Sequence, residues 1–491
     1  MIERQYGQHH LGEIFLKDSI DDCWEPWMKK ADEILDDEEL IDAVYEALRR
    51  RRPNSATRGR KGTPAEVALR LLVLKHMRNW SFETLEREVR ANMVYRLFTR
   101  VGAEKVPDAK TLARIERALG PEVFQKVHDR IVGIARDKKV VEGRRMRVDT
   151  TVTETNIHYP TDSSLLGDGL RILTRTMNRI VEIGGKVGER VRDRMRSVNH
   201  RLMEIARTSR SRAQNQGKEK LERAYKLLLN STGQVVAQAK RIAYEVANGF
   251  KRSRKRADQL RLQALQAELE RMIPLVQQVM RQTKARVFRN DIHASDKIVS
   301  LFETATQIIR KGKASKPTEF GRLIKIQEAE NQIITDYEVC EQRPADNTLL
   351  VKSIEVHRQK LGRAPHIVAT DAGFFSAQNE ADATEMGVKR IAIPNRSTKS
   401  AERRLLQKKR WFRRAQAWRT GCEGRISVLK RRHGLNRCRY RGDDGMKRWI
   451  GLGRDCGQSD QYRKNLVPSG GSSLKKSLKK RIGRTSATGS R

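Results

Sequence analysis

Three acids stand apart from the chain's 60 Asp and Glu residues by their surroundings. Asp149 sits inside the apolar stretch MRVDTTV. Asp371 follows the apolar run HIVAT and directly precedes Ala372-Gly373. Glu423 lies in TGCEGRISVLKRRHGL and is the only carboxylate between Arg403 and Arg441. A charge at the end of a strand is costly unless it is solvated, paired or bound to a metal. Two aspartates on neighbouring strands and a glutamate from a helix offer the hard oxygen donors that Mg²⁺ prefers. Two such ions about 3.5–4 Å apart can activate an attacking oxygen and stabilise a leaving one in phosphodiester displacement. For each acid alone, a surface carboxylate or a salt bridge is the competing reading.

The helix around Glu423 adds cations at useful spacing. Arg419 lies four residues before it and Lys430 seven after, steps that return close to the same helix face. Glu423 could take a metal while Arg419 and Lys430 grip phosphate oxygens. Arg425, Arg431 and Arg432 extend the basic surface, and all five cations are candidate DNA contacts. The plainer alternative is an i,i+4 Arg–Glu pair worth a few tenths of a kcal/mol.

Composition points the same way. The chain has 491 residues and a net charge of +42, enough length for about two to four domains. Hydrophobic residues reach 37% and charged residues 33%, which suits a folded core joined to long charged helices. Such a charge favours a polyanionic partner, whose counterions Lys and Arg release. An anionic membrane surface is the rival partner. No apolar run approaches the roughly 20 residues that span a bilayer, and the start MIERQYGQHHLGEIF has no signal-peptide core. A cytoplasmic, nucleoid-associated protein without a membrane partner is expected. The five cysteines form no CxxC pair, so ordinary reduced thiols are expected.

These residues need elements to position them. Residues 1–37 read as an acidic leader. Residues 38–140 read as short helices joined by tight turns: Thr63 with Pro64 and Glu66 suggests a capping box, Ser81 caps the next helix and Asp108 another. The unit is either helix-turn-helix-like and DNA-binding or a plain bundle. RMRVDTTVTETNIHY alternates as a strand. A helical insertion with heptad-like apolar spacing follows over 166–289. Strand signals return at IVSLFETATQIIRKG, at LIKIQ and IITDYEV as a hairpin, at PHIVATDAGFF and at VKRIAIPN. A last helix runs through Glu423 and stops at Gly434. The strands of 141–165 and 290–453 thus flank the insertion, and the fold class is α+β or α/β.

RVDTTVTETNIHYPTDSSLLGDG, HIVATDAGFFSAQNE and GCEGRISVLKRRHGLNRCRYRG together resemble bacterial insertion-sequence DDE transposases, of the group called ISNCY or its close relatives. The resemblance runs from about residue 40 to 453. It implies an RNase H-like mixed sheet with a large helical insertion after the first strand, and an amino-terminal all-helical domain that binds terminal inverted repeats. It implies Asp149, Asp371 and Glu423 as catalytic, metal-binding acids for two Mg²⁺ ions, with Mn²⁺ able to substitute. It implies double-stranded DNA as partner, both terminal repeats and target, and the insertion is expected to dimerise the chain or clamp DNA. A signature of many such enzymes spaces Tyr, Arg, Glu and Lys. Arg419, Glu423 and Lys430 match it, while Gln416 stands where Tyr would be.

After Gly453 the resemblance stops. Relatives continue with an apolar helix similar to VIADNLINIG, whereas this chain reads RDCGQSDQYRK. One encoding of that peptide, read one base later, gives VIADNLINIG. Arg454–Arg491 is therefore expected to be a frameshifted, basic tail with the composition of disorder, and a catalytically decayed copy acting only as a DNA-binding protein is the alternative function.

Overall fold

The structure is a computed structural model. It describes all residues except 1, 6–19, 52–60, 186–189, 210–213, 294–295, 311–316 and 467–491. Most of the basic loop Arg49–Gly62 and the end of the tail lie outside the described residues. The described chain divides into two compact units, one of residues 1–154 with 322–491 and one of residues 155–321.

The first unit begins with helices α1 (Pro26–Leu35), α2 (Glu38–Arg50), α3 (Ala65–Met77), α4 (Phe82–Ala91), α5 (Met93–Phe98) and α6 (Ala109–Asp137). Ser81 and Asp108 cap α4 and α6 as the sequence predicts, each accepting the backbone N–H three residues on. Thr63 does not cap α3. The carbonyls of Glu3 and Arg4 accept the N–H groups of Ala65 and Glu66, and Glu66 turns to pair with the buried Arg70. A distant strand of chain thus satisfies the helix start, and the capping box is not needed. The leader also belongs to the fold from Trp24 onward: Trp24, Trp27, Met28 and Leu35 are buried in the same core as α3 and α6.

The sheet of this unit carries the candidate site. It is built from β1 (Arg145–Glu154), the β3 (Thr318–Glu328) segment from Arg322 onward, β4 (Ile334–Val339), β5 (Ile367–Ala369) and β6 (Arg390–Ala392). The order is β3-β1-β5-β6, with β4 antiparallel to β3. β5 runs parallel to both β1 and β6. The expected LIKIQ–IITDYEV hairpin is the β3–β4 pair. α11 (Leu350–Leu361) leads from β4 to β5, and α12 (Ala377–Glu385) connects β5 to β6, as a crossover between parallel strands requires. The expected last helix is broken at Lys409 into α13 (Ala401–Lys408) and α14 (Arg410–Arg432). Gly434, at φ +74, follows its end; a Cβ there would sit 2.7 Å from the Trp449 ring, so only glycine fits.

α15 (Gly442–Leu466) closes the unit and crosses the Gly453–Arg454 boundary as one continuous helix. Its Met446, Trp449 and Ile450 pack with Ile324, Cys422 and Leu429, and Leu452 joins the core of the amino-terminal helices. Arg448 pairs with the buried Glu116 of α6 at 2.8 Å. The Lys75 ammonium of α3 lies 4.6–5.3 Å from the ring centroids of Phe82, Tyr440 and Trp449. The amino-terminal helices and the sheet therefore share one folded unit.

The second unit holds α7 (Asp162–Gly184), α8 (Met195–Thr208), α9 (Gln214–Ala247) and α10 (Arg256–Arg289) around a core of its own. It also holds β2 (Gln307–Arg310), paired with the first four residues of β3. Among the described residues of the expected strand IVSLFETATQIIRKG, Gln307–Arg310 form the strand.

Candidate active site

β1 and β5 are in register through Arg147 and Ala369, the last paired residues. Two positions further on stand Asp149, midway along β1, and Asp371, two residues past the end of β5. Equal spacing from that last pair sets the two aspartates on adjacent stretches of chain at the level where β5 ends. The strands carry them because both are apolar on either side: Met146, Val148, Val368 and Ala369 are buried, which fixes the register. Asp149 accepts the Thr150 N–H at 2.8 Å. Asp371 accepts the Gly373 N–H at 3.0 Å and caps the short turn Ala372–Phe374.

α14 brings the third acid across the sheet. Phe412 and Ala415 pack on Ala369 and Ala392. Gln416, in the place of the signature tyrosine, donates to the carbonyls of Thr370 and Ala392 at the strand ends. Arg147, buried beneath the helix, donates to the Trp418 carbonyl and to Glu328 of β3. These ties set the turn that bears Arg419 and Glu423. The Arg419 guanidinium lies 2.9 Å from Glu423 Oε1 and 3.6 Å from Asp149 Oδ2. One cation thus bridges a strand acid and the helix acid, and offsets their repulsion. Arg419 and Glu423 form the plain i,i+4 pair, and that pair also reaches the strand aspartate.

The five expected DNA contacts separate. Arg431 and Arg432 are exposed, Lys430 is half-buried and Arg419 faces the acids. Arg425 is a correction. It is 2% exposed on the inner face of α14, where it contributes with Arg147 to the field on buried Glu328. It offers nothing to a surface ligand. Burial raises the Glu328 carboxyl above its ordinary range, while Arg147 and Arg425 pull it back. Burial, and then Glu328 and Asp149, push the Cys422 thiol well above its usual value. That thiol stays protonated and inert.

Sequence reasoning missed one neighbouring acid. Asp346 accepts the Thr150 hydroxyl at 3.2 Å. A Cβ on Gly373 would lie 2.9 Å from Asp346 Oδ2 and 3.2 Å from Asp371 Oδ1, so both carboxylates flank that glycine. Nothing in the turn-like segment RPADNTLL marks it out. Among the described residues, no group of three or more His, Cys, Asp or Glu side chains stands close enough to hold a metal as placed. The donor chemistry of Asp149, Asp371 and Glu423, all carboxylate oxygens, is nonetheless that of a hard divalent cation. No described helix is long and apolar enough to cross a membrane.

Comparison with known proteins bears on this geometry. A family model described as a transposase domain (DUF772) matches residues 24–118. A second, described as a transposase DDE domain, matches residues 379–453. Arg419, Glu423 and Lys430 lie within the second match, and Asp149 and Asp371 lie outside both. No curated protein and no solved structure matches the chain. A transposase domain is matched toward each end, and the helix acid lies inside the DDE match; together they support an insertion-sequence DDE transposase.

Proposed function

We propose that this protein binds the terminal inverted repeats of its element and cuts and joins DNA strands there, using Asp149, Asp371 and Glu423 as one metal-dependent site. The observation that carries the reading is Asp149 on β1 and Asp371 just past the end of neighbouring β5, with Arg419 tying Glu423 to Asp149. Parallel β1, β5 and β6 beside β3 and its antiparallel partner β4 suit an RNase H-like core.

Asp149, Asp371 and Glu423 would hold two Mg²⁺ ions, which when bound supply activation of the attacking oxygen and stabilisation of the leaving one. The chain's own residues do the rest. Asp149 and Asp371 are fixed by β1 and β5, so they cost little reorganisation as the phosphodiester enters. With divalent cations on the acids, Arg419 would be free to take a phosphate oxygen. Lys430, Arg431 and Arg432 hold the backbone of the same strand, contacts that position DNA without reading its sequence. No covalent enzyme intermediate is required: a water-derived hydroxyl cuts, and the freed 3′-OH attacks target DNA at the same acids. The amino-terminal helices serve repeat binding, and the helical unit serves dimerisation or clamping.

A second reading, a decayed copy that binds DNA without cutting it, is favoured by the DDE-domain match ending at residue 453, directly before the discordant segment. Sequencing the locus again tests it: an intact frame through Arg454–Lys464 removes that reading. The main reading is tested with DNA carrying the repeats that flank the gene. Mg²⁺-dependent nicking at the repeat end is expected, and it is expected to vanish in Asp149→Asn, Asp371→Asn and Glu423→Gln. Unchanged nicking in those variants would overturn the site.

A further inference from the structure

A second concave site lies on the sheet face that α14 covers. It is a cavity of about 670 Å³, within the size range of small-ligand sites. Its floor is a single cross-strand row. Arg145 pairs with Ile367, and Ile367 with Arg390, in the ladders of β1, β5 and β6. Its wall is a stripe of α14: Arg410, Trp411, Arg414 and Trp418, at the spacing of one helix face. Two independent periodicities, one of a sheet and one of a helix, thus converge on one hollow.

The chemistry of the lining is selective. All four arginines are exposed, and none makes an ion pair among the described residues. Both tryptophans are half-buried and held. Arg390 lies 5.5 Å from the Trp411 ring centroid, and Arg147 lies 4.8 Å from that of Trp418. The rings are therefore fixed before any ligand arrives, which lowers the entropy cost of binding. The local field is positive beyond the cavity rim. His366, beside Ile367, is held below its ordinary value by desolvation first, and then by Arg390, Lys389 and Arg363.

Unpaired cations around fixed aromatic faces match a phosphate backbone whose bases are free to stack. A duplex keeps its base faces within the stack, so it could use the arginines but not the rings. We infer that this cavity binds an unpaired stretch of a DNA strand, with phosphates on Arg145, Arg390, Arg410 and Arg414 and a base against Trp411 or Trp418. Its floor row lies four residues before Asp149 on β1, about 13 Å along the strand. This inference rests on the proposed function only for where the strand leads; the binding itself is independent of catalysis.

The test uses the full chain without divalent metal, so that cleavage plays no part. Fluorescence anisotropy follows a labelled oligo-dT, the same backbone with abasic sites, and a duplex of mixed sequence. Oligo-dT is expected to bind more tightly than the abasic strand. Arg390→Gln and Arg414→Gln should each flatten the dependence of log affinity on log salt by about 0.7 for the single strand. Trp411→Leu should weaken oligo-dT by about fivefold or more while leaving the abasic strand unchanged. If the arginine variants weaken duplex and single strand alike, the cavity contributes only general charge and the inference fails. It also fails if the variants change nothing, or if inorganic phosphate displaces oligo-dT and abasic strand equally. If the wild-type chain shows this binding pattern yet does not nick repeat-end DNA with Mg²⁺, the catalytic reading alone is refuted.

Discussion

Replacing Glu328 by Gln should loosen the site from beneath. Glu328 is fully buried and faces two buried cations: Arg147, which it contacts directly, and Arg425, whose charge reaches it. Glutamine keeps the shape and one acceptor but removes the charge both arginines face. Removing one partner of a buried pair costs about 3–5 kcal/mol, a large part of the roughly 5–15 kcal/mol that holds a domain together. All six tryptophans, Trp24, Trp27, Trp80, Trp411, Trp418 and Trp449, lie in the unit that contains the sheet. Urea unfolding followed by tryptophan fluorescence therefore reads that unit alone. The midpoint should fall by the equivalent of about 3 kcal/mol or more in Glu328→Gln. A cycle with Arg147→Met should show a coupling of about 1–3 kcal/mol. Because Arg147 also holds the Trp418 carbonyl, nicking should fall in Arg147→Met even at temperatures where the variant is fully folded. Glu328→Gln within about 1 kcal/mol of the wild type, or no coupling to Arg147, would refute this account of how α14 is placed.

Three further outcomes follow from named contacts. A Cβ on Gly421 would lie 2.7 Å from Arg147 Nη1, so in Gly421→Ala about 1–3 kcal/mol of overpacking outweighs the roughly 1 kcal/mol gain in helix propensity; a raised melting temperature would contradict this. Arg425→Met should change unfolding far more than affinity for duplex DNA, whereas exposed Arg431→Ala should do the reverse, as parallel melting and gel-shift measurements would reveal. His357, buried with Nε2 3.0 Å from the Gly143 carbonyl, has its pKa lowered to about 4, chiefly by burial. The unfolded chain takes up that proton near pH 6.5 and the folded chain does not, so stability present above pH 6.5 is lost as pH falls toward 4, by about 3 kcal/mol. Urea midpoints across that range should flatten in His357→Gln.

Much of the candidate site's placement could be read from the chain because it rests on local pattern. Asp149 and Asp371 each follow apolar residues that must face a core, so the strands that lead to them follow from the apolar pattern. The i,i+4 relation of Arg419 and Glu423 is a property of any helix, and the caps at Ser81 and Asp108 are decided within four residues. What the sequence could not reveal depends on distant partners. Thr63 loses its capping role because the carbonyls of Glu3 and Arg4 arrive instead. Arg425 reads as one more surface cation in a basic helix, and only buried Glu328, nearly a hundred residues earlier, explains its inward turn. Asp346 lies in a turn of ordinary composition and becomes a neighbour of Asp371 only through the fold. The helices expected over residues 38–140 pack against α15 through Glu116, Lys75 and Leu452, contacts that no local periodicity encodes.

The most direct test of the central claim is whether Asp149, Asp371 and Glu423 bind divalent metal as one site. Titrating the full chain with Mn²⁺ and following free ion by electron paramagnetic resonance requires neither repeat DNA nor an active copy. The account predicts saturable binding that is weakened by each of Asp149→Asn, Asp371→Asn and Glu423→Gln, and competition by Mg²⁺. Binding that is unchanged in all three variants would contradict it.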